Sequence, residues 1–288
     1  MTMQRLENEL RGTHDPRDLE RADIVASMLK ARGEDIPLPS VVTPASNEAL
    51  AVEKPTARTF SKDQLILPET SLPKEVSEVL ERAKKVGIGV FEAYHLSDIT
   101  LDQNSNVEGW DKKPEDWYWK QIGDGNVSQD APKLPGFWVL IDKTQKPGYK
   151  NGRQVYENDP FGDLLKQLRK DKKVQTVKGF SDTSRFSISH DELTQVVLPE
   201  IAKLLGVESS AVRLPKAIEF NIIGNLKHPE WGDTNTWEWF NDKFGDGLRL
   251  VGGCSGLDGL AHVRYSWADY RRGLIGFRPL VVIPSKKP

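Results

Sequence analysis

The chain has 288 residues, of which 38% are hydrophobic and eight are Trp, so it can bury a sizeable core in one large domain or two ordinary ones. Forty basic and 42 acidic side chains give a net charge of −2, which excludes a global field that would attract nucleic acid or anionic lipid. The N-terminus is charged and no run of about eighteen apolar residues occurs, so the sequence predicts no signal peptide and no membrane insertion. Cys254 is the single cysteine, which excludes an intramolecular disulfide and favours a cytoplasmic or virion-associated location.

Residues 1–70 are predicted to form a helical N-terminal arm followed by a Pro-rich linker. Asp15-Pro16 supplies an N-cap and a proline at the first helical position, and apolar residues then recur at helical spacing over about 16–32. Residues 34–59 are rich in Pro, Ala, Ser and Val without periodicity, which is typical of an extended segment. We therefore place a domain boundary near residue 70.

Residues 71–288 are predicted to form a single α+β domain. Apolar residues at helical spacing predict helices over about 73–87, 160–168 and 190–205, and Ser189 with Glu192 forms a capping box before the third. Short apolar runs predict buried strands at 88–94, 137–141 and 280–283. A long polar, Trp-bearing segment joins the first two strands.

Four short motifs occur in one order in the C-terminal part of the chain. They are Arg213-Leu214-Pro215 followed by Glu219-Phe220, then Asn235-Thr236-Trp237-Glu238-Trp239, then Leu250-Val251-Gly252-Gly253, and last Gly276-Phe277-Arg278. Together they resemble the motifs of the formylglycine-generating-enzyme and sulfatase-modifying-factor family. The resemblance is clear from residue 189 to residue 284. It implies a C-type lectin fold with small antiparallel sheets, two flanking helices and long loops.

The charged residues of these motifs have a structural interpretation. Glu219, Glu238 and Arg278 lie within apolar or aromatic runs, and a buried charge is tolerated when it is paired and hydrogen-bonded. We therefore predict an internal network of acids and arginines. Trp237 and Trp239 flank Glu238 and should lie on the same side of a strand.

The chemistry of the family does not carry over to this chain. Formylglycine-generating enzymes use a pair of cysteines and the related sulfoxide synthases use a histidine-bound iron, whereas this chain has Cys254 alone and histidines without metal-ligand spacing. The histidines are His14, His95, His190, His228 and His262. We predict no catalytic residue, no metal and no cofactor. A weak calcium site at Asp233, Asn235 and Glu238 stays open, because some members of the family bind calcium near this motif.

The segment from Val251 to Pro284 contains no Lys, Glu, Gln, Met or Asn, although the rest of the chain uses Lys and Glu heavily. One branch of the C-type lectin fold comprises the variable proteins of diversity-generating retroelements, in which a reverse transcriptase rewrites adenines in C-terminal codons. Rewritten Asn codons cannot yield Lys, Glu, Gln, Met or Trp. The resemblance therefore implies a variable ligand-binding surface at about 254–274, with Trp267 as an exception to this codon limit.

Within that window, Leu260 and Val263, with Ile275 just after it, are predicted inward anchors. The Tyr, Trp and Arg residues have the chemistry that concentrates at binding hot spots. The predicted ligand-binding residues are Cys254, Gly256, Leu257, Asp258, His262, Arg264, Tyr265, Trp267, Asp269, Tyr270, Arg271, Arg272 and Leu274.

The leading hypothesis is a ligand-binding protein, and not an enzyme, whose constant scaffold presents the 254–274 surface to a variable ligand, which we expect to be a protein. Nucleic acid and membrane are not predicted partners, and an oligomer stays possible. Two alternatives are open: a metal-dependent oxidase or sulfoxide synthase of the same fold, and a structural virion or surface component that assembles through the 34–59 segment. The window could also be an ordinary surface loop with half-buried aromatic residues.

Overall fold

The structure is a computed structural model that describes residues 58–68 and 71–283. The chain divides into two units, Met1–Lys54 and Pro55–Pro288, and all described residues belong to the second. The helix predicted at 16–32 and most of the Pro-rich linker lie outside the described residues. The second unit is an α+β structure with small sheets, so the coarse fold class is confirmed.

The larger sheet of the described region has five antiparallel strands. In spatial order they are β2 (Ile66–Leu67), β3 (Phe91–Leu96), β5 (Trp138–Asp142), β11 (Leu280–Ile283) and β6 (Val212–Arg213). The strands predicted at 137–141 and 280–283 are confirmed. The strand predicted at 88–94 begins at Phe91, because Ile88 and Val90 form a turn after the preceding helix.

Residues 58–68 belong to this second unit, whereas the predicted domain boundary lies near residue 70. Strand β2 pairs with β3 through Ile66 and Leu96. Strand β1 (Thr59–Phe60) pairs in parallel with β4 (Asn106–Val107), and the short helix α1 (Lys62–Leu65) between β1 and β2 begins with a capping box of Ser61 and Gln64.

Helices cover both faces of the five-stranded sheet. The predicted helices are confirmed as α2 (Lys74–Lys85), α4 (Gly162–Lys170) and α5, which runs as His190–Glu192, a π-helical turn at Leu193–Val197, and Leu198–Leu205. These three pack on one face with Trp138 and Leu140. Helices α3 (Asp116–Gly123) and α6 (Ala217–Lys227) pack on the other face with Val139 and Ile141. All five residues of β5 are buried, as expected for a strand covered on both faces.

A second sheet carries residues of the last three of the four motifs. Its spatial order is β10 (Ile275–Gly276), β7 (Trp237–Phe244), β8 (Leu248–Gly252) and β9 (Val263–Trp267). Strand β10 is parallel to β7 and the other pairs are antiparallel, so the prediction of antiparallel sheets is wrong for β10, as it is for the β1–β4 pair. Trp237 and Trp239 pack in the same hydrophobic cluster, as predicted for residues two apart on a strand.

Candidate functional site

The structure separates the predicted binding residues into exposed, half-buried and buried groups. Gly256, Asp258, Tyr265, Trp267 and Asp269 are exposed. Leu257, Arg264, Tyr270, Arg271, Arg272 and Leu274 are half-buried. The three predicted anchors, Leu260, Val263 and Ile275, are buried, which confirms that part of the prediction.

The prediction of ligand-binding residues is wrong for Cys254 and His262, because both lie in the interior and not on the surface. Cys254 is 6% exposed and His262 is 1% exposed. The His262 ring packs edge-on against Trp237 with their centroids 4.6 Å apart. Burial also raises the pKa of the Cys254 thiol, so it is a poor nucleophile. A ligand at the surface therefore contacts neither residue.

The most exposed aromatic side chains of the window lie on strand β9. Tyr265 and Trp267, two residues apart, point to the same side of the sheet and are 46% and 38% exposed. The Tyr265 ring is parallel to Phe244 of β7 at a centroid distance of 4.4 Å, and Trp117 of α3 lies 6.0 Å away. These rings form one half-exposed aromatic cluster. The sequence reasoning missed Trp117 and Phe244, although Trp117 stands out as an aromatic residue in a polar segment.

Glu115 fixes the start of β9. Its carboxylate accepts hydrogen bonds from the Val263 amide, at 3.0 Å, and from the Arg264 guanidinium. Its own backbone N–H donates to the Ala261 carbonyl at 3.0 Å. The Arg264 guanidinium also lies 5.3 Å from the centroid of the Trp117 ring. The segment before α3 therefore supports the middle of the window, where β9 begins.

The turn after β9 is held mainly through its carbonyl oxygens. The Ala268 carbonyl accepts from the Asp191 amide at 3.1 Å, and the Arg272 carbonyl accepts from the Ser187 amide at 3.2 Å. The Gln154 side-chain amide donates to the Gly273 carbonyl. Among the side chains of the turn, Arg271 makes an ion pair with Glu192. Main-chain bonds do not depend on which side chain the window carries, so its path tolerates substitution.

Buried ion pairs of acids and arginines lie inside the domain, as predicted. Arg278 donates to both carboxylate oxygens of Glu238 at 2.8 and 3.0 Å, and Arg213 does the same to Glu219 at 2.6 and 2.7 Å. Each carboxylate is fully buried. This arrangement is the bidentate geometry that stabilises a buried charge.

Sequence reasoning missed a second part of the network, centred on Arg185. Its guanidinium pairs with Asp142 and, at 2.7 to 3.0 Å, with Asp159. Burial would raise the pKa of Asp142, but the charges of Arg185 and Arg278 lower it below its ordinary value. The partners of Arg185 lie 43 and 26 residues away in the chain, and no local pattern reveals such a pairing.

A buried lysine supports the Gly252-Gly253 loop directly before the window. The ammonium group of Lys146 donates to the carbonyl oxygens of Gly253, at 2.7 Å, and Trp231, at 2.5 Å. Lys146 is almost fully buried, and this burial lowers its pKa to about 8. The Gly253 backbone has φ of +84°, which is why the position is glycine.

The described histidines are distributed over the molecule. Each packs against a different tryptophan, in the pairs His95 with Trp138, His190 with Trp239, His228 with Trp231, and His262 with Trp237. Among residues 58–68 and 71–283, no group of three or more His, Cys, Asp or Glu side chains is placed to hold a metal ion. Glu238, one of the three oxygen ligands considered for calcium, is bound to Arg278.

No helix in the described ranges is long and apolar enough to cross a membrane. Comparisons with models of protein families, with curated proteins and with solved structures found no match.

Proposed function

We propose that this chain is a ligand-binding protein of the C-type lectin fold whose 254–274 surface is diversified by a retroelement. The order of the four motifs supports the fold, as do the two small sheets and the helices that flank them. The main support for this function is the way in which the main chain of the window is hydrogen-bonded to the rest of the domain. Its main chain is anchored to the scaffold, while Tyr265, Trp267 and Asp269 extend into solvent.

The chemistry of the exposed group supports a protein ligand. Tyr and Trp offer large, rigid contact surfaces with few rotatable bonds, and Arg combines a charge with a planar face. Tyr265 lies beside Trp117 and Phe244, and the half-buried Arg264 lies beside Trp117, so variable and constant residues adjoin on one surface.

The residues that correspond to the family's motifs support a binding role over catalysis. Glu238 and Arg278 are fully buried and satisfy each other, so neither is available to a substrate. Cys254 is buried with a raised pKa, whereas a nucleophilic thiol needs a lowered pKa.

Sequencing of the gene's locus tests the diversification. We expect a reverse-transcriptase gene nearby and a near-copy of the DNA that encodes 254–274, which differs from it at adenines. We also expect these differences to fall on codons for exposed or half-buried residues such as Tyr265, Asp269 and Arg272, and to spare Leu260 and Val263. A locus without either element would overturn the diversification.

A further inference from the structure

We propose that the protein ligand docks by adding an extended strand to the free edge of β9, opposite Tyr265. This inference rests on the proposed binding function and specifies how the partner is held. The exposed side chains supply selectivity, and main-chain hydrogen bonds supply a contact that any sequence of the partner can make.

Strand β9 lies at the edge of its sheet in the described part of the chain, and its register shows which groups point outward. The Gly253 amide donates to the His262 carbonyl, and the Ala268 amide donates to the Gly247 carbonyl. In an antiparallel ladder the even-numbered residues of β9 therefore bond to β8, while the N–H and C=O groups of Val263, Tyr265 and Trp267 point away from it. The bond from the Val263 amide to Glu115, outside the sheet, agrees with this parity.

At both ends of this edge, the outward main-chain groups already form hydrogen bonds within the protein. Glu115 accepts from the Val263 amide, and the Arg264 guanidinium donates to the Val263 carbonyl at 2.7 Å. At the other end the Trp267 carbonyl accepts from the Tyr270 amide at 3.2 Å. Three consecutive groups remain, namely the N–H and C=O of Tyr265 and the N–H of Trp267, and no hydrogen bond within the described residues uses them.

These three groups define the partner's chemistry. A short antiparallel peptide segment matches them, because one residue opposite Tyr265 can exchange both of its main-chain hydrogen bonds and the residue two positions before it can offer a carbonyl to the Trp267 amide. In this arrangement the opposite residue's side chain would lie about 5.5 Å from Tyr265 on the side of the aromatic cluster. An apolar or aromatic residue at this position would extend the cluster formed with Phe244.

A second copy of this chain fits the edge less well than a foreign segment. If two β9 strands paired around Tyr265, the Trp267 amide of one copy would face Val263 of the other. The carbonyl of Val263 is already bonded to Arg264, and Glu115 with the first turn of α3 lies beside it. The self-pairing would therefore lose a hydrogen bond and bring an ion pair against Trp267.

The test uses peptides selected from a random linear library on the full-length protein, with Tyr265→Pro and Tyr265→Val as a matched pair of variants. Both variants remove the ring, but Tyr265→Pro also removes the outward N–H. That N–H takes no part in the β8–β9 ladder, so both variants should keep the fold, which thermal unfolding checks. We expect the selected peptides to bind Tyr265→Pro at least about tenfold more weakly than Tyr265→Val, which corresponds to one main-chain hydrogen bond.

A second measurement does not depend on the variants. In the wild-type protein, saturating peptide should slow hydrogen exchange at the Tyr265 and Trp267 amides, which point outward, more than at the Arg264 amide, which already bonds to β8. If hydrogen exchange at the Tyr265 and Trp267 amides is already slow without peptide and becomes fast when the protein is diluted, a second copy of the chain occupies the edge. That result would overturn the proposal of a foreign segment.

Two other outcomes distinguish a failure of strand addition from a failure of the proposed binding function. If peptides lose binding in Trp267→Ala but bind the Pro and Val variants equally and leave amide exchange unchanged, strand addition is wrong and the binding surface stands. If the selection gives no peptide that depends on Tyr265 or Trp267, both are wrong.

Discussion

Replacing Arg278 with lysine tests whether the buried ion pair is structural. The guanidinium makes two hydrogen bonds to Glu238 and one to the Asp142 carbonyl, and it lies 3.7 Å from the centroid of the Trp231 ring. Lysine keeps the charge but its compact ammonium cannot reproduce the planar fork, so two of the three bonds are lost. A hydrogen bond to a charged group contributes about 1.5–3 kcal/mol, so two contribute about 3–6 kcal/mol. Because breaking a buried ion pair costs about 3–5 kcal/mol, we expect a loss of about 3–5 kcal/mol for Arg278→Lys.

Thermal and urea unfolding measure this loss. For a domain of this size we expect the melting temperature to fall by about 6–20 °C, at 2–4 °C per kcal/mol. Arg264→Lys is the matched control, because its pair with Glu115 is partly exposed and should cost less than about 1 kcal/mol. The double variant Glu238→Gln/Arg278→Met removes both charges and should lose less than the sum of its single variants. An Arg278→Lys variant as stable as the control would refute the structural role.

Three further predictions concern burial, glycine conformation and thiol reactivity. Burial raises the pKa of Asp242 to about 6 from 3.8, so the folded state holds its proton more tightly than the unfolded state and stability is lost as pH rises between these values. Asp242→Asn, measured against wild type by urea unfolding at several pH values, should gain about 2–4 kcal/mol relative to wild type from pH 4 to pH 7; a difference independent of pH would contradict this. Gly253→Ala should cost about 1–3 kcal/mol in thermal unfolding, because φ is +84° and a Cβ would lie 2.9 Å from Phe220, whereas Gly256→Ala, whose Cβ would meet only the Cys254 sulfur at an ordinary contact distance of 3.9 Å, should change stability by less than about 0.5 kcal/mol. Cys254 should react with a disulfide reagent much more slowly in the native protein than in urea, and equal rates would show that the thiol is accessible.

The sequence predicts those features whose physical cause is local. The capping box at Ser189 and the apolar stripe after it define helix α5, because both depend on residues within a few positions of each other. The pairing of Glu238 with Arg278 was predictable in kind, since a charge within an apolar run needs a partner, and the motifs narrow the choice of that partner.

Features that depend on the path of the chain were not predictable. Lys146 reaches Gly253 over 107 positions, and Glu115 reaches Arg264 over 149, and neither end of these contacts has a distinctive sequence. The buried position of His262 has a different cause. Within the window the sequence predicts inward positions at Leu260 and Val263, but His262, directly before strand β9, lies on the side of the buried Ser266 and packs against Trp237.

The position of β11 makes folding of the larger sheet depend on translation through the last described strand. Strand β11 is the last described element of the chain, yet it lies inside the larger sheet, between β5 and β6. A polypeptide that ended within 254–274 would lack this strand and expose the edge of β5. Its hydrophobic clusters would be incomplete, since Leu280 and Val281 pack into opposite faces. If the window is diversified as proposed, each version of it would be displayed only on a chain that has been translated through Ile283, and a truncated copy would be removed as unfolded protein.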